Sequence, residues 1–262
     1  MSTIEANLNS VIFYRTYLLD EAYSFVKEHA PNILGKHLES PGLYKFDDKA
    51  KTLTFKSERL VPVKYSGRPK MMLLFSNPHP RSVHLGMFLS GSSKEGKSLF
   101  WQTMHDSSCL RFIKDSSTPQ QRADLCFNVD YKAPFDFIFY PYYVFPTRYP
   151  DHLPKVFGKA FFENYIESEA KQEFTKHIQD LEIDGIISFN KEIFNRVAKE
   201  RIKTYINQMV EGELFQSTVK IREKEIPIYQ TFPTGWRYHP QMKQIRANNL
   251  SKIVNAILQS FS

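Results

Sequence analysis

Four short runs of apolar residues recur along the chain, and each is closed by prolines or by polar turn residues. They lie at 71–75, 135–140, 185–189 and 226–232. Runs of this length with turn signals at their ends are typical of strands that are buried on both faces. Segments with helical periodicity lie between or after them, at 97–113, 159–181, 191–209 and 241–261. Strands that alternate with helices favour a parallel sheet, so we predict a three-layer α/β/α fold with a four-stranded, mainly parallel central sheet.

The N-terminal part of the chain carries a different pattern. Residues 8–29 place apolar side chains at helical spacing, and Pro31 is expected to end that helix. Short extended pieces are predicted over residues 40–66, around turn residues. A polar break is predicted over residues 114–124, which read KDSSTPQQRAD.

Length and composition narrow the class of protein. A chain of 262 residues with 42% hydrophobic side chains suits one domain, so we predict a single α/β domain over 1–262. Within it, a helical and extended extension (1–58) would pack on a core (59–262). No run approaches the roughly 20 apolar residues of a membrane-spanning helix, and the first residues do not read as a signal peptide. Two cysteines are too few for a disulfide scaffold, which favours an intracellular, cytoplasmic or nuclear, location.

The positive charge is unevenly distributed. The net charge is +7, and residues 59–94 and 226–262 contain no Asp or Glu. Both windows retain basic side chains, namely Arg59, Lys64, Arg68, Lys70, Arg81 and Lys94, then Arg237, Lys243, Arg246 and Lys252. Buried strands also exclude carboxylates and explain part of each window, but they do not explain the retained bases. A surface of this kind suits phosphate, and DNA is the partner we expect.

The end of the first predicted strand carries the main candidate for chemistry. Because Pro78 and Pro80 disfavour helix at the residue before each, the chain is expected to leave the sheet at Asn77. Loops at the carboxyl ends of parallel strands are where open α/β sheets bind ligands. A neutral amide there would hold a water through its carbonyl and leave its amino group free for a base or a sugar. An Asn-Pro pair is also a common turn initiator, and that alternative stays open.

Two further loops, 141–154 and 232–240, would share the same sheet edge. The second reads FPTGWRYHP and places Trp236 beside Arg237. A large apolar side chain next to a guanidinium suits a wedge that fills the gap left by an extruded base while the cation holds a phosphate. Packing of Trp236 in the core is the alternative.

These features together resemble the uracil-DNA glycosylase superfamily, as a divergent member nearest its mismatch-specific and single-strand-selective branches. Asn77-Pro78, followed by Gly86 and Phe88, is similar to the first motif of the family. The Phe-Trp pair at 100–101 is similar to a helix of the mismatch-specific branch, and GIISFNKEIFNRV looks like the third strand and its helix. FPTGWR resembles the second motif, usually His-Pro-Ser-Pro or Asn-Pro-Ser-Gly. The match follows the family order over roughly residues 60–260.

The resemblance implies a monofunctional DNA glycosylase of base-excision repair, which flips a damaged or deaminated base and hydrolyses its N-glycosidic bond. It implies no cofactor and no metal, and a monomer is expected. Asn77 would be the catalytic residue that orients the attacking water. The base would be held by Ser76, His79, Phe88, Tyr140 and Tyr142. The DNA would be contacted by Arg81, Thr234, Gly235, Trp236, Arg237 and His239.

The chain also departs from the family pattern. Phe232 stands where most members carry a catalytic His or an Asn, and Tyr140 or Tyr142 replaces the Asn that reads the base. The base would leave as an anion that donors must stabilise, and His84 and His239 join Ser76 and His79 as candidates. A non-catalytic, nucleic-acid-binding relative of the same fold therefore stays open.

A competing motif lies at Gly91–Ser98, which matches the phosphate-loop pattern G-x-x-x-x-G-K-S. In that alternative Lys97 would reach nucleotide phosphates and Ser98 would bind magnesium. The motif needs a buried strand directly before it, and residues 87–89 offer only a short apolar run. A Gly/Ser loop that caps the helix after it is the simpler interpretation.

Overall fold

The computed structural model describes residues 3–5, 11–35, 42–89, 98–234 and 242–260. The chain divides into two compact units, each assembled from separate segments. The first unit comprises Met1–Arg59, Ser76–Ser90 and Pro141–Phe174, and the second comprises Leu60–Phe75, Gly91–Tyr140 and Thr175–Ser262. The arrangement of an N-terminal extension on a core stays a prediction, but residues 76–90 and 141–174 group with the N-terminal segment.

Eleven strands form three sheets within the described residues. They are β1 (Thr3–Glu5), β2 (Ile12–Leu18), β3 (Tyr44–Asp47), β4 (Thr52–Glu58), β5 (Lys70–Phe75), β6 (Arg111–Phe112), β7 (Tyr131–Lys132), β8 (Asp136–Pro141), β9 (Gly185–Ser188), β10 (Phe215–Ile221) and β11 (Lys224–Gln230). The first unit holds an antiparallel sheet in the order β1-β2-β4-β3. The main sheet has the order β10-β11-β9-β5-β8, and β6 pairs with β7.

The helices are α1 (Tyr23–Leu34), α2 (Pro80–Leu85), α3 (Leu99–Asp106), α4 (Pro119–Phe127), α5 (Leu153–Phe157), α6 (Lys159–Phe161), α7 (Glu167–Asp180), α8 (Lys191–Val197), α9 (Ile206–Val210) and α10 (Met242–Ser260). A π-helical turn, Phe162–Ile166, joins α6 to α7. In the described part of the chain, no helix combines the length and apolar character needed to cross a membrane.

The main sheet contains all four predicted strands, as β5, β8, β9 and β11. Strand β9 pairs in parallel with both β5 and β11, which confirms a mixed α/β fold with a mainly parallel sheet. The predicted number of four strands is wrong, because β10 adds a fifth, antiparallel strand beside β11. The sequence FQSTVKI of β10 is rich in β-branched residues and precedes a tight turn, where Arg222 has a φ of 54°.

Three predicted helices, over residues 8–29, 97–113 and 191–209, are wrong in extent. Residues 12–18 form β2, along which Phe13, Arg15 and Tyr17 are buried while the residues between them are more exposed. This period of two, in a segment rich in aromatic and β-branched residues, specifies a strand. The helix begins only at Tyr23. It ends at Leu34, about one turn past Pro31, which was expected to end it and lies inside α1.

Local side-chain bonds explain the remaining differences. The helix predicted over 191–209 ends at Val197, because the Asn195 side chain bonds both the N–H and the carbonyl of Ile202 and holds a non-helical turn. The predicted polar break contains the start of α4, which Thr118 and Gln121 begin with a reciprocal capping box. Helix α3 is shorter than predicted and ends at Asp106.

Candidate functional site

Hydrogen bonds within the first unit fix the side chain of Asn77, which follows strand β5 along the chain. The apolar residues of β5 are buried, and Asn77 follows the strand by two residues and is half-buried. Its side-chain nitrogen, Nδ2, donates to the carbonyl oxygen of Thr147 at 2.8 Å and to Thr147 Oγ1 at 2.9 Å. A third contact reaches the Pro78 carbonyl oxygen at 3.1 Å. Because two of these partners are carbonyl oxygens, which only accept, the amide can be placed in one orientation alone.

Thr147 bonds to residues of both the 76–78 segment and its own loop. Its side chain is buried, its N–H donates to the Pro78 carbonyl at 3.1 Å, and its Oγ1 donates to the Tyr149 carbonyl at 2.7 Å. Nearby, the N–H of Tyr143 donates to the carbonyl oxygen of Ser76 at 2.8 Å. The segments 76–78 and 143–149 are thus joined by backbone and side-chain bonds. The expectation that the amino group of Asn77 is free is therefore wrong.

The side-chain oxygen of Asn77, Oδ1, makes fewer hydrogen bonds than Nδ2 does. Oδ1 accepts a hydrogen bond from Ser76 Oγ at 3.1 Å. A carbonyl oxygen has two lone pairs, so Oδ1 retains capacity for a second donor such as a water. With Nδ2 fixed by Thr147, the amide can accept from a reactant but cannot offer its amino group without breaking the loop contacts.

Helix α2 continues directly from this loop. His79 caps it, because its Nδ1 accepts from the N–H of Arg81 at 3.1 Å. Arg81 and His84 are exposed on α2, and no carboxylate among the described residues pairs with Arg81. Gly86 ends the helix with a φ of 77°, a left-handed conformation that glycine adopts without strain. Gly86 therefore has a structural reason at this position.

The three aromatic residues predicted to hold a base are packed into the protein. Phe88, Tyr140 and Tyr142 have 2%, 0% and 3% of their surface exposed. The ring of Tyr140 lies 5.4 Å from that of His177, and the ring of Tyr142 lies 5.7 Å from that of Phe174. Their predicted roles stay predictions, and a base could stack on them only where a ring edge becomes accessible.

The last predicted loop is described only at its start, in the second unit. Phe232 is buried with Met209 and Met242, and Thr234 is half-buried at the edge of a small cleft. Arg246 donates to the Pro233 carbonyl, so this basic residue stabilises the start of the loop. Gly235, Trp236, Arg237 and His239 lie outside the described residues, and so does Gly91–Lys97 of the phosphate-loop motif. Residues 86–89, which precede that motif, form turns, so the strand it requires is not present there.

Several of the basic residues in the carboxylate-free windows are neutralised by carboxylates from elsewhere in the chain. Within the first unit, Arg59 pairs with Glu173 at 3.2 Å. Within the second unit, the pairs are Arg68–Asp136 at 2.8 Å, Lys70–Glu182 at 3.3 Å and Lys243–Asp106 at 3.2 Å. The inference that both windows keep their bases for phosphate is therefore wrong for these four residues.

Sequence reasoning missed a buried acid in the first unit. Glu58, the last residue of β4, has 1% of its surface exposed, and its Oε2 has no hydrogen-bond partner among the described residues. Burial raises the pKa of this carboxyl well above its ordinary value of 4.5, because desolvation disfavours the charged form. A carboxylate at the end of a strand gave no sequence signal, because Glu is normally read as exposed.

The comparisons with known proteins add no assignment. No protein-family model matches the chain, and no curated protein matches it.

Proposed function

We propose that this protein is a DNA glycosylase of base-excision repair, a hydrolase that removes a damaged or deaminated base, in the three-layer architecture of the uracil-DNA glycosylase superfamily. The observation that carries the proposal is the Asn77 amide. It follows a buried strand of a mainly parallel sheet, Thr147 fixes its nitrogen, and its Oδ1 retains an acceptor site. The order of motifs along the chain supports the same class.

The chemistry asks little of Asn77 beyond orientation. As the base leaves, positive charge develops on the sugar and a water attacks its anomeric carbon. An amide is too weak a base to take the proton of that water, but Oδ1 can accept a hydrogen bond and hold the water in line. The proton released by the water is taken up by the base, which leaves as an anion. Because Thr147 already fixes the amide, no reorganisation is needed when the substrate arrives. The enzyme would need no cofactor and would act as a monomer.

The bonds of Asn77 also limit its role. With Nδ2 committed to Thr147, recognition of the base must come from other groups. The Ser76 hydroxyl donates its proton to Asn77 Oδ1, so its oxygen can offer an acceptor. We therefore propose that Asn77 orients the attacking water and that Ser76, His79 and the neighbouring aromatic residues contact the base. The identity of the base is not part of the proposal.

A second candidate is a nucleic-acid-binding relative of the same fold that has no excision activity. The observation that favours it is the burial of Phe88, Tyr140 and Tyr142, which leaves little ring surface for a flipped base. Phe232, buried where the family carries a catalytic polar residue, points the same way.

A base-excision assay separates the two candidates. The substrates are single- and double-stranded oligonucleotides that carry uracil, hypoxanthine, xanthine or an alkylated base, and abasic sites are revealed by alkaline cleavage. We expect excision of at least one base by the wild type, loss of activity in Asn77→Ala and retention of DNA affinity, because the change removes positioning in the transition state. Asn128→Ala is the matched control, since Asn128 is an exposed asparagine bonded to the Asp124 carbonyl at the end of α4.

Full excision by Asn77→Ala would contradict the mechanism. DNA binding by a wild type that excises none of these bases would favour the second candidate.

A further inference from the structure

The loop that fixes Asn77 also carries Arg148 and Tyr149, two side chains for which no role has been proposed above. The loop is stiff, because the Tyr149 carbonyl accepts from Thr147 Oγ1 at 2.7 Å and from the N–H of His152 at 3.1 Å. A 3₁₀ turn, Pro150–His152, follows at once. Thr147 is bonded to both Asn77 and Tyr149, so the loop and the candidate catalytic amide are held in a fixed relation.

Tyr149 is an exposed aromatic ring on this stiff backbone. It has 49% of its surface exposed, and the ring of His152 supports it edge-on at 5.2 Å and 84°. An aromatic side chain at a rigid position offers a large contact area and loses little conformational freedom when a partner binds. Burial in the core, the usual role of aromatic residues here, does not apply to Tyr149.

Arg148 lies against the same ring and keeps its charge uncompensated. Its Cζ lies 5.1 Å from the centroid of Tyr149, and no described carboxylate forms an ion pair with it. Asp151, three residues further on, pairs with Lys155 at 2.8 Å. The buried Arg15, by contrast, is paired with Glu169 and Glu173. The guanidinium of Arg148 therefore has donors available for an anion from outside the chain.

An exposed ring with a cation over it, beside an amide proposed to act on DNA, fits a nucleic-acid strand. Bases stack on aromatic side chains with little regard to sequence, and a guanidinium binds the phosphate between them. We propose that Arg148 and Tyr149 form a DNA-binding pair, in which Tyr149 stacks on a base near the target nucleotide and Arg148 holds a backbone phosphate. The inference rests on the proposed function, since that function places DNA beside Asn77.

Binding measurements test the pair without any need for excision. The probe is a fluorescein-labelled single-stranded DNA oligonucleotide with one uracil, followed by fluorescence anisotropy over a series of salt concentrations, and then the matching duplex. The variants are Tyr149→Ala, Tyr149→Phe and Arg148→Gln. Tyr14→Ala is the matched control, since Tyr14 is another exposed tyrosine with a cation, Lys56, 5.5 Å from its ring.

We expect Tyr149→Ala to weaken single-strand binding by about 5- to 150-fold, because a stacking contact is lost. Tyr149→Phe keeps the ring and retains near wild-type affinity. Arg148→Gln lowers the slope of log affinity against log salt by about 0.7 for a single strand, the value for one phosphate. Tyr14→Ala binds as the wild type does. Circular dichroism confirms that each variant is folded, and Tyr149→Phe and Arg148→Gln keep the test valid if Tyr149→Ala does not fold.

The outcomes separate this inference from the proposed function. Wild-type affinity and salt slope in both Tyr149→Ala and Arg148→Gln would overturn the pair and leave the excision proposal standing. If the wild type excises no base but these variants bind DNA more weakly, the DNA-binding pair would be supported and the proposed glycosylase activity would be overturned. A wild type that binds no DNA would overturn both, and tighter binding of the same sequence as RNA would overturn the assignment to DNA.

Discussion

The side chain of Asn77 donates from Nδ2 to both the carbonyl oxygen and Oγ1 of Thr147, at 2.8 and 2.9 Å. The two residues thus act as one unit, and Thr147 is a positioning residue for the candidate catalytic amide. Removal of Oγ1 takes away one of the acceptors of Asn77 and also the donor to the Tyr149 carbonyl.

For Thr147→Val we therefore expect a fall in kcat with little change in KM, because Asn77 loses orientation more than DNA loses contacts. The free energy of unfolding falls by about 1–3 kcal/mol, since the buried hydroxyl of Thr147 makes two hydrogen bonds, one from Asn77 and one to Tyr149, and both are lost. Excision kinetics and urea unfolding measure the two effects. Thr147→Ser keeps the hydroxyl and is expected to restore both quantities. Equal behaviour of the Val and Ser variants would show that the hydroxyl does not position Asn77.

Glu58 makes stability depend on pH in a definite direction. The pKa of Glu58 is raised in the folded protein, so the fold holds a proton that the unfolded chain releases above about 4.5. The stability contributed by this group is complete below that pH and is lost as pH rises through the folded pKa. Glu58→Gln is neutral at every pH and removes this loss. The stability of the variant relative to wild type is expected to grow with rising pH.

Thermal unfolding of both proteins across the pH range provides the measurement, with Glu211→Gln as a control at an exposed glutamate. If the plots of stability against pH for Glu58→Gln and wild type stay parallel, the pKa of Glu58 is not raised in the folded state.

The buried guanidinium of Arg15 connects β2 to α7. It pairs with Glu169 at 3.4 Å and with Glu173, and Arg59 shares Glu173 at 3.2 Å. Arg15→Met would remove the buried cation that faces Glu169 and Glu173, two carboxylates that are themselves largely buried. We expect this variant to lose about 3–5 kcal/mol of unfolding free energy.

Chemical denaturation of Arg15→Met is compared with that of Lys27→Met, which removes an exposed ion pair with Asp48 and is expected to change stability little. If both variants lose the same small amount, the network of Arg15 does not hold the helix to the sheet.

The main strands could be predicted because each is a short apolar run closed by turn residues. Strand β2 could not be separated from a helix over a long window, since its outer positions, Tyr14 and Leu18, are also apolar. The end of α8 depends on the side chain of Asn195, and an asparagine in an otherwise helical pattern does not reveal which backbone group it will bond.

The position of Asn77 was predictable from local sequence, but its partner was not. Thr147 lies 70 residues further along the chain, and no periodicity connects the two. The same holds for charge: Arg59 meets Glu173 across 114 residues, so a window free of carboxylates in sequence is not free of them in space. The sequence does contain a signal for Arg148 and Tyr149, because their loop, PTRYP, combines a cation and an aromatic residue between two prolines.

The first unit is built from three separated segments, the last of which is 141–174. During synthesis its N-terminal sheet leaves the ribosome long before the loop that holds Asn77 exists. The bonds between Asn77 and Thr147 close a long stretch of chain, and such distant contacts form late and at an entropic cost. A nascent chain stopped before residue 141 would therefore carry the amide without its clamp. We expect the candidate site to form well after the N-terminal sheet, once residues 141–149 have been synthesised.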